Sequence, residues 1–166
     1  MKLYLFRHGI AADREDFAGE DAERPLTEEG TRKTRLAARG LRRLAPELDL
    51  ILSSPLRRAR QTAELLVEAY EGAPPLECSD RLAEEGAHEA LIRELWARRP
   101  VPRRLLLVGH EPNLSELAGL LLTGLPTLAM RFKKAGACRL TWDRIDLGPG
   151  AVLDWFLPPK ALRALA

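Results

Sequence analysis

Leu3-Tyr4-Leu5-Phe6-Arg7-His8-Gly9 is a short apolar run that stops at a polar turn, the pattern of a buried parallel strand reaching its carboxyl end. The plan returns late in the chain, where Leu105-Leu106-Leu107-Val108 stops at Gly109-His110 and a leucine-rich helix follows through Leu122. Between them, residues 48–52 predict another strand running into Ser53-Ser54-Pro55. There Ser54 is expected to cap a helix with Pro55 in its first turn, and Ala59, Ala63, Leu66 and Val67 point inward as far as about Tyr70. An earlier helix opens with Thr27 as its N-cap, carries an inward stripe of Leu36, Ala37, Leu41 and Leu44, and is ended by Pro46. Gly72 and Pro74-Pro75 then break the chain before a short strand at 76–78 and a helix at 87–97. From Ala135 the pattern changes to two alternating runs, 137–142 and 151–157, around a turn at Gly148-Pro149-Gly150.

Strands that alternate with helices predict an α/β fold: a three-layer αβα sandwich around a mostly parallel sheet, with the C-terminal hairpin added antiparallel at one edge. Ligands of such sheets bind beyond the carboxyl ends of the strands. Arg7, His8, Arg58 and His110 all fall there.

Composition narrows the function. With 166 residues, 46% of them hydrophobic, residues 1–166 fit one domain with a real core. The net charge of +2 and the 30% charged content mean that acids and bases largely cancel, so neither a nucleic-acid nor a membrane partner is expected. Arginine supplies nearly all the positive charge, lysine occurring only at Lys2, Lys33, Lys133, Lys134 and Lys160. Arginine suits a bidentate grip on phosphate or carboxylate, although most of these side chains are expected on solvated helix faces. Cys78 and Cys138 form no C-x-x-C pair and are expected to be buried thiols. Residues 1–6 are too short for a signal peptide and no run reaches transmembrane length, which makes a cytoplasmic protein the expectation.

Three segments carry chemistry. A neutral imidazole at His8 is a competent nucleophile toward phosphorus, and nearby arginines favour the neutral form. In Ser53-Ser54-Pro55-Leu56-Arg57-Arg58-Ala59-Arg60-Gln61-Thr62-Ala63 a strand end meets a helix start, placing backbone N–H groups and an arginine beside an anion site. Helical spacing alone leaves open which of Arg57, Arg58 and Arg60 turns inward. At Val108-Gly109-His110-Glu111-Pro112 a second histidine closes a strand, placed to donate a hydrogen bond to phosphoryl oxygens. His88, amid Glu85, Gly86 and Glu89, reads as a surface residue.

Together these segments resemble the histidine phosphatase superfamily, which includes the cofactor-dependent phosphoglycerate mutases and many small phosphatases. Arg7-His8-Gly9, Ser54-Pro55-Leu56-Arg57-Arg58-Ala59 with Gln61-Thr62-Ala63, and Gly109-His110 stand in the family's order, and Arg24-Pro25-Leu26-Thr27 with Gly30 matches its first helix entry. The resemblance implies that His8 is the phosphorylated nucleophile, that Arg7 and Arg58 clamp phosphoryl oxygens, and that His110 completes the pocket. Arg58 is implied over Arg57 because the family's pocket arginine directly precedes the alanine. The short length, the Arg-Pro-Leu-Thr segment and the terminal hairpin are most similar to the SixA-type phosphohistidine phosphatases.

The expected activity is therefore a phosphatase that needs neither metal nor other cofactor, since two arginines and a histidine take the part magnesium plays in other phosphoryl-transfer sites. The expected partner is a phosphohistidine-bearing protein or a small phosphorylated metabolite. A mutase would need insertions this chain is too short to hold, and a non-catalytic phosphate binder would not require both His8 and His110. Glu84 and Glu85 are the local candidates for a general acid. Followed by Gly86-Ala87-His88 rather than aromatic and glycine-rich sequence, they read as a solvated loop.

Overall fold

The sheet forms because each central strand must be apolar on both sides. The computed structural model describes residues 1–83, 87–143 and 149–166. Its strands are β1 (Lys2–Arg7), β2 (Leu50–Ser53), β3 (Leu76–Cys78), β4 (Arg104–Gly109), β5 (Ala137–Thr141) and β6 (Val152–Leu157), in the spatial order β3-β2-β4-β1-β5-β6. The first four run parallel; β5 lies antiparallel on β1, and β6 antiparallel on β5. Leu3, Leu5, Leu50, Leu52, Leu105 and Leu107 turn to one face, under α3 (His88–Ala97) and α4 (Asn113–Thr123). The alternate residues Tyr4, Phe6, Ile51, Leu106 and Val108 turn to the other, under α1 (Glu28–Leu44), α2 (Arg57–Glu68) and α5 (Pro159–Ala164). Two covered faces explain the unbroken apolar runs. This is the expected three-layer arrangement with its antiparallel edge hairpin.

Helix entry follows local chemistry at α1, where the Thr27 side chain accepts from the Gly30 N–H at 2.9 Å. The helix is carried close to α5 by Gly40, where a Cβ would stand 1.8 Å from the Leu162 carbonyl oxygen. No helix among the described residues is long and apolar enough to cross a membrane.

Four expectations need correction. α2 begins at Arg57, not at a Ser54 cap, and it ends at Glu68. Ser54 Oγ accepts from Leu56 N–H at 3.3 Å, outside the helix, so its chemistry is free for another use. His88 is not a surface residue: its side chain is 12% exposed, and Nε2 lies 3.0 Å from Glu116 Oε2, tying α3 to α4. Cys138 is buried, which pushes its thiol up to about 12, but Cys78 is exposed because it ends the short edge strand β3. Leu36 is only half-buried, the inward stripe of α1 running through Thr34, Ala37, Ala38 and Leu41 instead. Glu84 and Glu85 lie outside the described residues, as does Gly148 of the hairpin turn.

Candidate active site

Strand register brings the two histidines together. Arg7 of β1 is level with Gly109 of β4, and the His8 N–H donates to the Gly109 carbonyl at 3.0 Å. His8 and His110, each the residue just past its strand end, therefore emerge side by side with ring centroids 4.9 Å apart. Gly9 fits the turn because a Cβ there would lie 2.2 Å from Thr34 Oγ1. The Gly9 N–H is taken by Thr62 Oγ1 at 3.0 Å, and the Thr62 hydroxyl donates to the Arg58 carbonyl at 2.7 Å. The turn that carries His8 is thus laced to α2.

The imidazole of His8 has a defined proton. Nδ1 lies 2.7 Å from the Gly9 carbonyl oxygen, which can only accept, so Nδ1 carries the hydrogen and Nε2 presents its lone pair. Burial pushes the ring's pKa down to about 2, with the neighbouring His110 and the charges of Arg58 and Arg7 acting in the same direction and the Gly9 bond opposing them. His8 is neutral throughout the physiological range. His110 is pushed to about 4, first by burial and then by Arg58 and Arg7. Its Nε2 is 2.8 Å from Ser54 Oγ, the use to which that serine is put. In the tautomer in which the Ser54 hydroxyl donates to Nε2, the His110 hydrogen is on Nδ1 and is left for another acceptor.

Two arginines complete the cluster. Arg7 is held by its Nη1 donating to the Phe132 carbonyl at 2.6 Å, while Glu111 receives the Phe132 N–H at 2.7 Å and the Ser115 hydroxyl at 2.6 Å. Arg58 is 7% exposed, on the inward face of α2 with Ala59, Thr62 and Ala63. Its Nη1 donates to the Asp21 carbonyl at 2.8 Å, and Nη2 pairs with the Asp21 carboxylate at 3.0 Å. Arg24 grips the same carboxylate at 3.0 Å and reaches the Ala12 carbonyl at 2.7 Å. Partial burial raises the Asp21 carboxyl, but Arg58 and Arg24 outweigh it and hold the group below the usual carboxylate range. Arg57 and Arg60, by contrast, make only a long contact to the Glu23 carbonyl and an exposed pair with Glu64.

The structure thus brings Arg7, His8, Arg58 and His110 together, and Asp21, Ser54, Thr62 and Glu111 hold them. Those four supports are not apparent from the sequence. Thr62 stands one helical turn after Arg58 and closes on its carbonyl, but Gln61 and Glu64 stand at the same spacing from Arg57 and Arg60, so the spacing alone does not single out Arg58. Asp21 sits in a loop crowded with carboxylates and carries no such signal. Of the buried side-chain nitrogens that lack a hydrogen-bond partner among the described residues, Arg7 Nε, Arg58 Nε and His110 Nδ1 belong to this cluster. A buried N–H left unpaired costs roughly 1–3 kcal/mol, so this grouping around a free imidazole lone pair is suited to a multivalent anion.

The family model described as "Histidine phosphatase superfamily (branch 1)" matches residues 3–104. An uncharacterized protein of Picosynechococcus sp. is 46% identical over 138 residues, covering 82% of this chain and 82% of its own. Phosphohistidine phosphatase SixA of Escherichia coli is 41% identical over 117 residues, covering 66% of this chain and 71% of its own. The solved protein histidine phosphatase SixA in complex with tungstate superposes with a TM-score of 0.80 at 27% identity, over 98% of this chain and 99% of that one. With its strands, its paired histidines and its arginines in that frame, the chain belongs to the histidine phosphatase superfamily, branch 1.

Proposed function

We propose that this phosphatase hydrolyses phosphohistidine in proteins through a covalent intermediate on His8. The observation that carries the reading is the trio of unpartnered buried nitrogens, Arg7 Nε, Arg58 Nε and His110 Nδ1, on side chains that all act electrostatically on a His8 ring whose Nε2 lone pair is free. Nε2 attacks phosphorus in line, forming the N–P bond as the P–N bond to the substrate imidazole breaks, while the three donors spread the charge of the transferred phosphoryl group. Water then attacks the same phosphorus, the His8 N–P bond breaks, and inorganic phosphate leaves. The donors need no reorganisation during either step, because strand ends and α2 already hold them.

The leaving group favours phosphohistidine over an alkyl phosphate. An alkoxide needs a proton as it departs, whereas an imidazole protonated beforehand leaves as a neutral molecule. Asp21, the carboxylate that pairs with Arg58, is kept ionised by Arg58 and Arg24 and is therefore a poor proton donor. The likeness to phosphohistidine phosphatase SixA supports the same substrate class.

The test is rapid quench with labelled phosphohistidine peptide, run beside a phosphoserine peptide and a panel of metabolite phosphates. Wild-type protein should trap an acid-labile, alkali-stable phosphoenzyme and act fastest on phosphohistidine, and His8→Ala should do neither. Turnover or labelling that persists in His8→Ala protein overturns the nucleophile; a faster rate on a metabolite phosphate overturns the substrate.

A further inference from the structure

Arg7 also lines a cleft of about 440 Å³, walled by Lys33 of α1, Lys133 and Lys134 of the turn before β5, and Arg163 of α5. Three of the five lysines in the chain meet here, and a fourth, Lys160, lies on the same α5. Arg131 is close enough for its charge to depress Arg7. Many surface cations of this protein are neutralised, as Arg35 is by Glu68, Arg42 by Glu71, Arg98 by Glu77 and Arg139 by Asp154. In the cleft Lys33 pairs with Glu29 at 2.5 Å, and the same carboxylate feels the charge of Arg163 from beyond ion-pair distance. Among the described residues no carboxylate lies within ion-pair distance of Lys133, Lys134 or Arg163. A chain whose net charge is only +2 thus concentrates unpaired positive charge beside the strand end that carries its nucleophile.

We infer that this cleft docks an acidic polypeptide segment flanking the phosphohistidine of the substrate protein, an inference that rests on the phosphoprotein reading above. The cations come from three separate elements and sit on long, partly exposed stems, so a single compact anion would meet only some of them. Several carboxylates strung along a chain can meet all of them. Arg7 belongs to both walls, which places such a segment directly alongside the bound phosphoryl group. Such charge complementarity acts chiefly on encounter and selection between partners, and it is screened by salt.

The experiment uses the full chain and two peptides of equal length, each bearing one phosphohistidine, one flanked by glutamates and the other by glutamines. Wild-type kcat/KM should favour the acidic peptide by about tenfold at low ionic strength, and the preference should shrink toward unity near 0.5 M salt, where the screening length is only a few ångströms. In the triple variant Lys133→Gln, Lys134→Gln, Arg163→Gln the ratio between the peptides should fall to within about twofold of unity. The ratio is the readout because partial misfolding lowers both rates together and leaves it unchanged. Equal wild-type rates on the two peptides, or a preference that survives the triple substitution, overturn the docking cleft. A wild type that prefers a bisphosphorylated metabolite to its monophosphate while ignoring the peptide flanks assigns the cleft to small anions and equally overturns it. Loss of all activity on p-nitrophenyl phosphate by folded wild-type protein would instead strike the phosphatase reading, so the two failures are distinguishable.

Discussion

Acid should unfold this protein through its paired buried histidines, His8 and His110. In the folded state His8 is pushed to about 2 and His110 to about 4, against an ordinary 6.5. A histidine kept neutral by burial favours the unfolded chain once the pH is low enough to charge it there. The penalty is absent above about pH 7, grows as pH falls below the unfolded value, and levels off only near the folded value, around 4 for His110. At pH 5, roughly 1.5 pH units below the unfolded value, each histidine costs about 2 kcal/mol at about 1.4 kcal/mol per unit, or about 4 kcal/mol together. The two side chains are only 6% and 9% exposed, so solvent screening takes little from that figure. The depressed carboxyl of Asp21 acts lower, its stabilisation being lost only as pH falls below the ordinary carboxylate range. Urea unfolding of wild type, His8→Gln, His110→Gln and the double variant at pH 7.5 and pH 5 measures the effect. Wild type should lose about 4 kcal/mol more than the double variant over that interval, with each single variant recovering about 2 kcal/mol. If wild type and double variant lose stability equally, the histidines are not held neutral and the lone pair assigned to His8 Nε2 has no basis.

Among α2 arginines, Arg58→Ala should lower kcat/KM by about 10²–10³, the usual cost of a positioned transition-state donor, while Arg57→Ala and Arg60→Ala stay within about threefold of wild type. Steady-state rates on p-nitrophenyl phosphate decide it, and equal losses at Arg57 and Arg58 would contradict the inward face seen for α2. Gly40→Ala should destabilise by about 1–3 kcal/mol, because the new methyl group meets the Leu162 backbone rather than a side chain that can turn away. Thermal unfolding reports this, and an unchanged midpoint would mean that α5 is not seated against α1 there. EDTA should leave turnover intact if, as proposed, Arg7 and Arg58 supply the positive charge and the neutral His110 a hydrogen bond where other sites use a metal; a strict magnesium requirement refutes that division of labour.

The strand-end residues are legible in the sequence because a buried strand announces its end: an apolar run stops at Arg7-His8-Gly9 and again at Gly109-His110, and the fold rule places such ends at the ligand edge. Thr27 and the C-terminal hairpin are legible for similarly local reasons. Contacts that join distant segments are not. Ser54 looks like a cap because it precedes a proline and a helix, yet the residue it serves is His110. His88 lies among charges in sequence and meets Glu116 only when α3 packs on α4. Spacing leaves Arg57, Arg58 and Arg60 equivalent until the inward face of α2 is known, and Asp21 is one carboxylate among several until Arg58 and Arg24 close on it.

The shared register of β1 and β4 also makes this enzyme sensitive to changes in chain length that leave its composition untouched. Adding or deleting one residue within either strand would turn every following side chain to the opposite face, exchanging core for core on the inner strands but sending His8 or His110 away from its neighbour. Insertions in the loop ahead of Arg24 or in the turn after α4 carry no such consequence. Loop growth there leaves the β1–β4 register untouched, whereas the spacing from Lys2 to His8 and from Arg104 to His110 has to stay fixed.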